Sequence, residues 1–436
     1  MWANESVFYQ IYPLGFCGAP FENDGVAVGR IKEVVLWKEH MIKLGVNAIY
    51  FSPLFESDTH GYNTRDYKKI DCRLGTNQEF KDVCDELHEA NIKIVLDGVF
   101  HHVGRGFFGF QDVLQNREHS KYLHWFHIDL NGNSSYEDGL WYEGWEGHYD
   151  LVKLNLQNEE VIQYLLEVVS YWITYFDIDG IRLDVAYCLD HNFMRRLRSH
   201  CDEMKADFFL LGEMVHGDYN QLVNEEMLHS ATNYETYKGL YSSFNSMNMF
   251  EIVHSLQRQF GPEEWCLYRG KHLLSFVDNH DVARISSALI NENHLKPVYG
   301  MLFGMPGIPC IYYGSEWGVK GRKEDGDPNL RLRYETPLEN ELTEFIGAIA
   351  KIKRESHALN YGSFSSKFLV NKQCVIERAS SEERVLVAVN AEEHSFWAQF
   401  DAGCGQVLNL LTGETITMNG GITLEPYEVL FLKCID

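Results

Sequence analysis

The chain has 436 residues, 45% of them apolar and 14% aromatic, and its 38 basic and 63 acidic side chains give a net charge of −25. So acidic a surface repels phosphate backbones and anionic headgroups, which excludes nucleic acid and membrane as expected partners and favours a neutral ligand. The length exceeds that of an average domain but suits one α/β barrel with a smaller appendage.

The amino-terminal MWANESVFYQIYP lacks the basic-then-apolar order of a secretory leader. No later run approaches the roughly 18 apolar residues of a spanning helix, so a cytoplasmic location is expected. Apolar, strand-like runs then alternate with amphipathic ones. VFYQIYP (7–13) precedes VVLWKEHMIKLG (34–45), and VNAIYFSP (46–53) precedes EFKDVCDELHEAN (79–91). In the last of these Phe80, Val83, Cys84 and Leu87 recur at helical spacing, and Asn91 suits a helix stop. IKIVLDGVF (92–100), IDGIRLDV (178–185), FFLLGEMV (208–215), LLSFVDN (273–279) and GIPCIYYG (307–314) continue the strands. This alternation predicts a parallel sheet closed into a (β/α)8 barrel. It breaks between His102 and Asp150, where an inserted subdomain is expected after the third strand, before EEVIQYLLEVVSYWITYF (159–176) resumes as a helix. From residue 357 short alternating segments such as CVIERA, RVLVAVNA and EVLFLKC predict an antiparallel β-sandwich. The expected domains are therefore a barrel over 1–101 and 151–356, a subdomain over 102–150, and a C-terminal β domain over 357–436. Ten cysteines without CxxC spacing are expected to be reduced, and no metal site is expected.

Four of the strand-like runs end on charge: DGVFHH (97–102), GIRLD (180–184), LLGE (210–213) and FVDNHD (276–281). Ionised groups are rarely buried unless paired, so four such ends in order point to strands converging on a site that holds Asp184, Glu213 and Asp281. Residues two apart on a strand share a face, which puts Arg182 beside Asp184 at roughly 6–7 Å along the backbone. The guanidinium is expected to keep Asp184 ionised, whereas the apolar run before Glu213 favours a protonated carboxyl. One charged and one protonated acid suit the nucleophile and acid/base pair of a retaining glycosidase. His101 and His102 are adjacent and point opposite ways, unlike the i, i+2 pair a metal prefers, so His102 is read as a hydrogen-bonding partner for a substrate hydroxyl. In WYEGWEGHY (141–149), Trp141, Tyr142 and Trp145 are candidates for a wall over the sugars, with packing in the small subdomain as the equal alternative.

The four runs resemble, in order and residue type, the four signature regions of the α-amylase family of glycoside hydrolases, over essentially the whole chain. The resemblance implies Asp184 as nucleophile, Glu213 as general acid/base and Asp281 as transition-state stabiliser. It also implies Asp97, His102, Arg182 and His280 as residues around the cleaved sugar. HGYNTRDYKKID (60–71) is similar to the loop whose Tyr stacks on that sugar, which maps to Tyr62 with His60 nearby. LVKLN (151–155) resembles a fifth region of the neopullulanase and cyclomaltodextrinase branch and brings in Lys153. DGDPNLR (325–331) is similar to a loop from which Asp327 and Arg331 reach more distant sugars.

Departures from the family pattern qualify the resemblance. His101 replaces an Asn that is often a calcium ligand, so calcium is not expected there and no cofactor is required. Tyr187, Cys188 and Val215 differ from common family residues on the leaving-group side, and barrel sequence begins by Val7, without the N-terminal β domain of that branch. The expected activity is retaining hydrolysis of α-glucosidic bonds, mainly α-1,4, in malto-oligosaccharides, starch-type glucans or cyclodextrins. The alternatives are an α-glucosidase or glucanotransferase using the same intermediate, or a non-catalytic glucan-binding protein, which would be expected to have lost an acid. Oligomeric state is not legible in the sequence.

Overall fold

The computed structural model describes residues 1–435, so Asp436 of the expected C-terminal domain lies outside the described residues. The parallel strands are β1 (Phe8–Ile11), β2 (Ala48–Phe51), β3 (Lys93–Gly98), β4 (Gly180–Leu183), β5 (Phe209–Gly212), β6 (Ser230–Ala231), β7 (Leu274–Phe276) and β8 (Ile308–Tyr312). They pair in the order β6-β5-β4-β3-β2-β1-β8-β7, and a parallel bridge from Thr232 to Leu274 joins the two ends. This is the expected (β/α)8 barrel. Except for Lys93, every strand residue is buried, because the interior packs one face and the outer helices the other. Phe8, Ala48, Tyr50, Val95, Phe209 and Leu211 fill the interior with Leu274, Phe276, Ile308 and Cys310.

Seven strands follow apolar runs of the sequence; β6 does not. It is two residues long and is held by its neighbours, with Leu274 N donating to Ser230 Oγ at 3.1 Å. The helix Asn77–Glu89 is capped by Thr76 and Glu79 in a reciprocal box, buries Phe80, Val83, Cys84 and Leu87, and stops where Asn91 turns left-handed at φ 58°. The helix expected to run to residue 176 is α-helical over Glu159–Tyr171 and then widens into a π turn over Trp172–Phe176. None of the described helices is long and apolar enough to cross a membrane.

Between β3 and β4 the chain leaves the barrel. His102–Gly104, His148–Lys153 and Gly144–Trp145 form a three-stranded antiparallel sheet, whose central strand extends to Lys153. A helix over Phe108–Asn116 buries Phe110 and Val113, with Phe110 edge-on to Phe126 and Tyr142. After the barrel, six antiparallel strands form one sheet and Phe396–Gln399 pairs with Gly421–Leu424 in a second. Ala398, Ile422 and Leu424 of the small layer pack on Val375, Leu386, Ala388, Leu430 and Leu432 of the large one, an unequal sandwich.

One buried ion pair holds the loop that carries His60 and Tyr62. Arg73 and Asp71 are fully buried and paired at 2.6 Å, with a second contact at 2.8 Å through Arg73 Nε. The remaining guanidinium hydrogens go to the carbonyls of Pro20, Phe21 and Thr59 and to Ser57 Oγ. Every donor is matched, so the pair fixes three loop segments against one another. Arg73→Met leaves Asp71 buried without its cation and is expected to cost about 3–5 kcal/mol, read as a lowered midpoint in thermal unfolding. An unchanged midpoint would show that the loops hold without it.

Candidate active site

The ends of β3, β4, β5 and β7 deliver the charged residues to one place. In the β3–β4 register Arg182 lies opposite Asp97, and Leu183 lies opposite both Gly98 and Gly212. Asp184 and Glu213, each one residue past its strand, extend the ladder: Asp184 N donates to Gly98 O at 3.2 Å and Glu213 N to Leu183 O at 2.9 Å. At Gly212 a Cβ would stand 2.4 Å from Leu228 Cδ1 and 3.0 Å from Ala186 Cβ, so any larger residue would have to displace the buried Leu228 side chain.

Arg182 binds three acids. Its Nη1 donates to both oxygens of Asp97 at 2.9 Å and to Asp184 Oδ1 at 2.7 Å, while Nη2 meets Glu213 Oε1 at 2.8 Å. The other Glu213 oxygen accepts from Val185 N at 3.0 Å. Val185 reaches this position at φ 39°, a left-handed conformation that a β-branched residue adopts only under constraint. The strain therefore lies between Asp184 and Glu213.

Burial sets the electrostatics. It raises Asp97 to about 8 against the pull of Arg182, with repulsion from Asp184 and Glu213 adding to the rise. It also raises Asp184 and Glu213, again against Arg182. The upward direction for Glu213 agrees with the sequence reading, although its surroundings include the guanidinium as well as apolar residues. For Asp184 the expected guanidinium is in place, but one positive charge divided among three carboxyls does not fully offset its burial, so its pKa is raised and not lowered. Asp281 goes the other way. Burial alone would raise it, but His280, then Arg331 and Arg182, hold it well below the usual carboxylate range. Its oxygens meet His280 Nε2 at 2.9 Å and Arg331 Nη2 at 3.1 Å.

His280 is itself fixed from behind. Gln10 Nε2 donates to its Nδ1 at 2.8 Å, which leaves the proton on Nε2, facing Asp281 and the Tyr62 hydroxyl. Tyr12 and Tyr62 stack on the ring at 5.9 and 5.8 Å. The sequence reading passed over Gln10 and Tyr12, yet Gln10 carried the signal used for the acids, a polar side chain inside an apolar strand, and Tyr12 shares its face two residues on.

These groups surround a cleft of about 540 Å³ lined by Asp184, Glu213 and Asp281, together with His60, Tyr62, His102, Asp327 and Arg331. Asp97, Arg182 and His280 are buried behind its floor. Arg331 joins Asp281 to Asp327, 3.0 Å away, so the 325–331 loop reaches the acids. His60 faces Asp150 at 3.9 Å across the cleft. Lys153 points elsewhere and pairs with Glu143 at 2.6 Å. Of the three candidate wall residues Trp145 lines the cleft, whereas Tyr142 is core of the small subdomain and Trp141 lies outside the cleft lining. Tyr234, another lining residue, accepts from Asn279 Nδ2 at 3.0 Å. His102 Nε2 and Trp145 Nε1 are buried without a protein partner.

His101 has a pKa pushed down to about 3 by burial and by His102, and its neighbours include Lys153, a poor environment for a hard cation. Among the described residues the one cluster of three possible ligands is Glu56, Asp71 and Cys72. Arg73 and Lys69 already neutralise its two carboxylates.

Residues 10–358 match the α-amylase catalytic domain family. A cyclomaltodextrinase from Bacillus sp is 31% identical over 424 residues, covering 90% of this chain and 74% of that one. An intracellular maltogenic amylase from Bacillus subtilis strain 168 is 30% identical over 464 residues, covering 99% and 77%. The ligand-free cyclic α-maltosyl-(1→6)-maltose hydrolase from Arthrobacter globiformis superposes with a TM-score of 0.86 at 26% identity, covering all of both chains. The chain belongs to the α-amylase family and is a glycoside hydrolase.

Proposed function

We propose that this hydrolase cleaves α-1,4-glucosidic bonds in short malto-oligosaccharides and cyclodextrins with retention of anomeric configuration. Glu213 protonates the glycosidic oxygen while Asp184 attacks the anomeric carbon. Water then attacks the glycosyl-enzyme with Glu213 as base. Asp281 and His280 grip the ring hydroxyls as the sugar flattens, His102 and Trp145 donate to hydroxyls, and Tyr62 stacks on the ring. Arg331 and Asp327 hold the next sugar. The mechanism requires no metal or cofactor.

The observation that carries this reading is the sharing of one guanidinium by Asp184 and Glu213 at 2.7 and 2.8 Å. Two carboxyls so tethered favour the spacing of about 5–5.5 Å used for direct attack over the wider gap that admits a water. The short-substrate preference is supported by the names of the relatives, a cyclomaltodextrinase and a maltogenic amylase. Action inside the cell is part of the proposal; ten free cysteines and the name of the B. subtilis relative support it.

Incubation with maltotriose, cyclodextrin, pullulan and starch, followed by product sizing, tests this. Cyclodextrin and maltotriose are expected to be consumed fastest, with maltose and glucose as products. Glucose alone from chain ends would favour an α-glucosidase, and products longer than the substrate a glucanotransferase.

A further inference from the structure

Two cysteines face each other at the ends of two neighbouring inner strands of the C-terminal sheet, remote in sequence from the acids of the cleft. The strand Val429–Cys434 runs antiparallel to Gln406–Asn409, with Cys434 opposite Val407. Ile435 N donates to Gln406 O at 3.3 Å, which extends the pairing one residue past Cys434. Just before that pairing the chain turns through Gly403 at φ 64°, which swings Cys404 back over the strand end. Its Sγ stands 2.9 Å from Cys434 Sγ. Both residues are half-buried, and Cys404 opens onto a surface cleft beside Phe400 and Met418, so a small molecule can reach the pair.

We propose that Cys404 and Cys434 form a reversible disulfide by exchange with a small-molecule disulfide of the glutathione class. One cysteine thiolate attacks the small disulfide, forms a mixed disulfide and expels one small thiol. The second thiolate attacks the protein sulfur of that mixed disulfide and expels the other. Two cysteine thiols and one small disulfide become one protein disulfide and two small thiols, so protons and electrons balance. A disulfide is about 2.05 Å long, and the sulfurs close the remaining gap by side-chain rotation of less than about 1 Å. The bond ties the final strand to the turn at 400–405 and closes a loop of 30 residues' separation.

Exchange is slow near neutral pH. Burial pushes the Cys434 thiol up to about 12, the neighbouring Cys404 adds to this, and the Arg384 guanidinium opposes it. The thiolate is the attacking species, so the rate rises with pH.

Oxidised glutathione at about pH 8.5, followed by alkylation and peptide mass analysis, is expected to give a crosslink joining the peptides of Cys404 and Cys434, reversed by dithiothreitol. Thermal unfolding is expected to shift up by roughly 2–6 °C, because the crosslink restrains the unfolded chain. Cys404→Ser and Cys434→Ser are each expected to lose both crosslink and shift and to retain one glutathione on the remaining cysteine. Complete alkylation of both cysteines after incubation, or crosslinks between either of them and other cysteines, overturns the proposal.

Discussion

Glu213→Gln is expected to lower kcat/KM on maltotriose by about 10²–10⁴-fold and to recover most of that loss on an α-glucosyl fluoride or an aryl glycoside. Such a leaving group departs with little help from an acid, so the first step proceeds without the Glu213 proton. The glycosyl-enzyme then accumulates, because no base activates the water. Intact mass should show one sugar bound to the Glu213→Gln protein. Asp184→Asn removes the attacking oxygen itself, so its loss should be at least as large and persist on every leaving group. A second readout follows from burial. Burial raises the carboxyls of Asp184 and Glu213 in the folded protein, so ionisation of either one opposes folding. Neutral amides should therefore leave the protein at least as stable as the parent, which separates lost chemistry from lost structure. Equal losses with activated and unactivated substrates in the Glu213 variant would remove it from the acid/base role.

The residues that make this prediction possible were legible because they break a pattern. An apolar run such as FFLLG that ends on Glu213 marks a strand end facing a site, and the same logic found Asp97, Asp184 and the pair His280 and Asp281. The barrel was legible for the same reason: strands buried on both faces are written as unbroken apolar runs. β6 was not, because its two residues carry no period, and in the helix Phe108–Asn116 one aromatic, Phe108, is exposed while the other, Phe110, is buried, which blurs the helical period. Side-chain partners were hardest to read, since closure of the barrel chooses them. Lys153 could as well have faced the cleft as Glu143, and Arg182 was matched with Asp184, its neighbour on the strand. The register across β3, β4 and β5 adds Asp97 and Glu213 to it.

That three-way sharing makes Arg182→Met the most damaging single change expected outside the acids. Methionine keeps much of the volume but leaves Asp97, Asp184 and Glu213 buried together without a cation. Removing one partner of a buried ion pair costs about 3–5 kcal/mol, and here one partner serves three. Arg182 lowers the pKa of each of the three acids, so its removal raises them all further. Both limbs of the kcat/KM against pH profile should therefore move to higher pH, with a loss of at least about 10²-fold at neutral pH. The stability difference from the parent should widen with alkalinity. A carboxyl whose folded pKa is raised contributes stability that is fully present below its unfolded value of about 4 and is lost as pH rises through the folded value. In the variant the folded values lie higher still, so unfolding midpoints should lie closest to the parent near pH 5 and furthest near pH 9, across the value of about 8 already reached by Asp97. Adding Asp97→Asn to Arg182→Met removes one of the three crowded charges and should restore part of the lost stability while leaving activity low. If the double variant is no more stable than Arg182→Met alone, Asp97 is not repelled by the other two acids, and burial alone would account for its raised pKa.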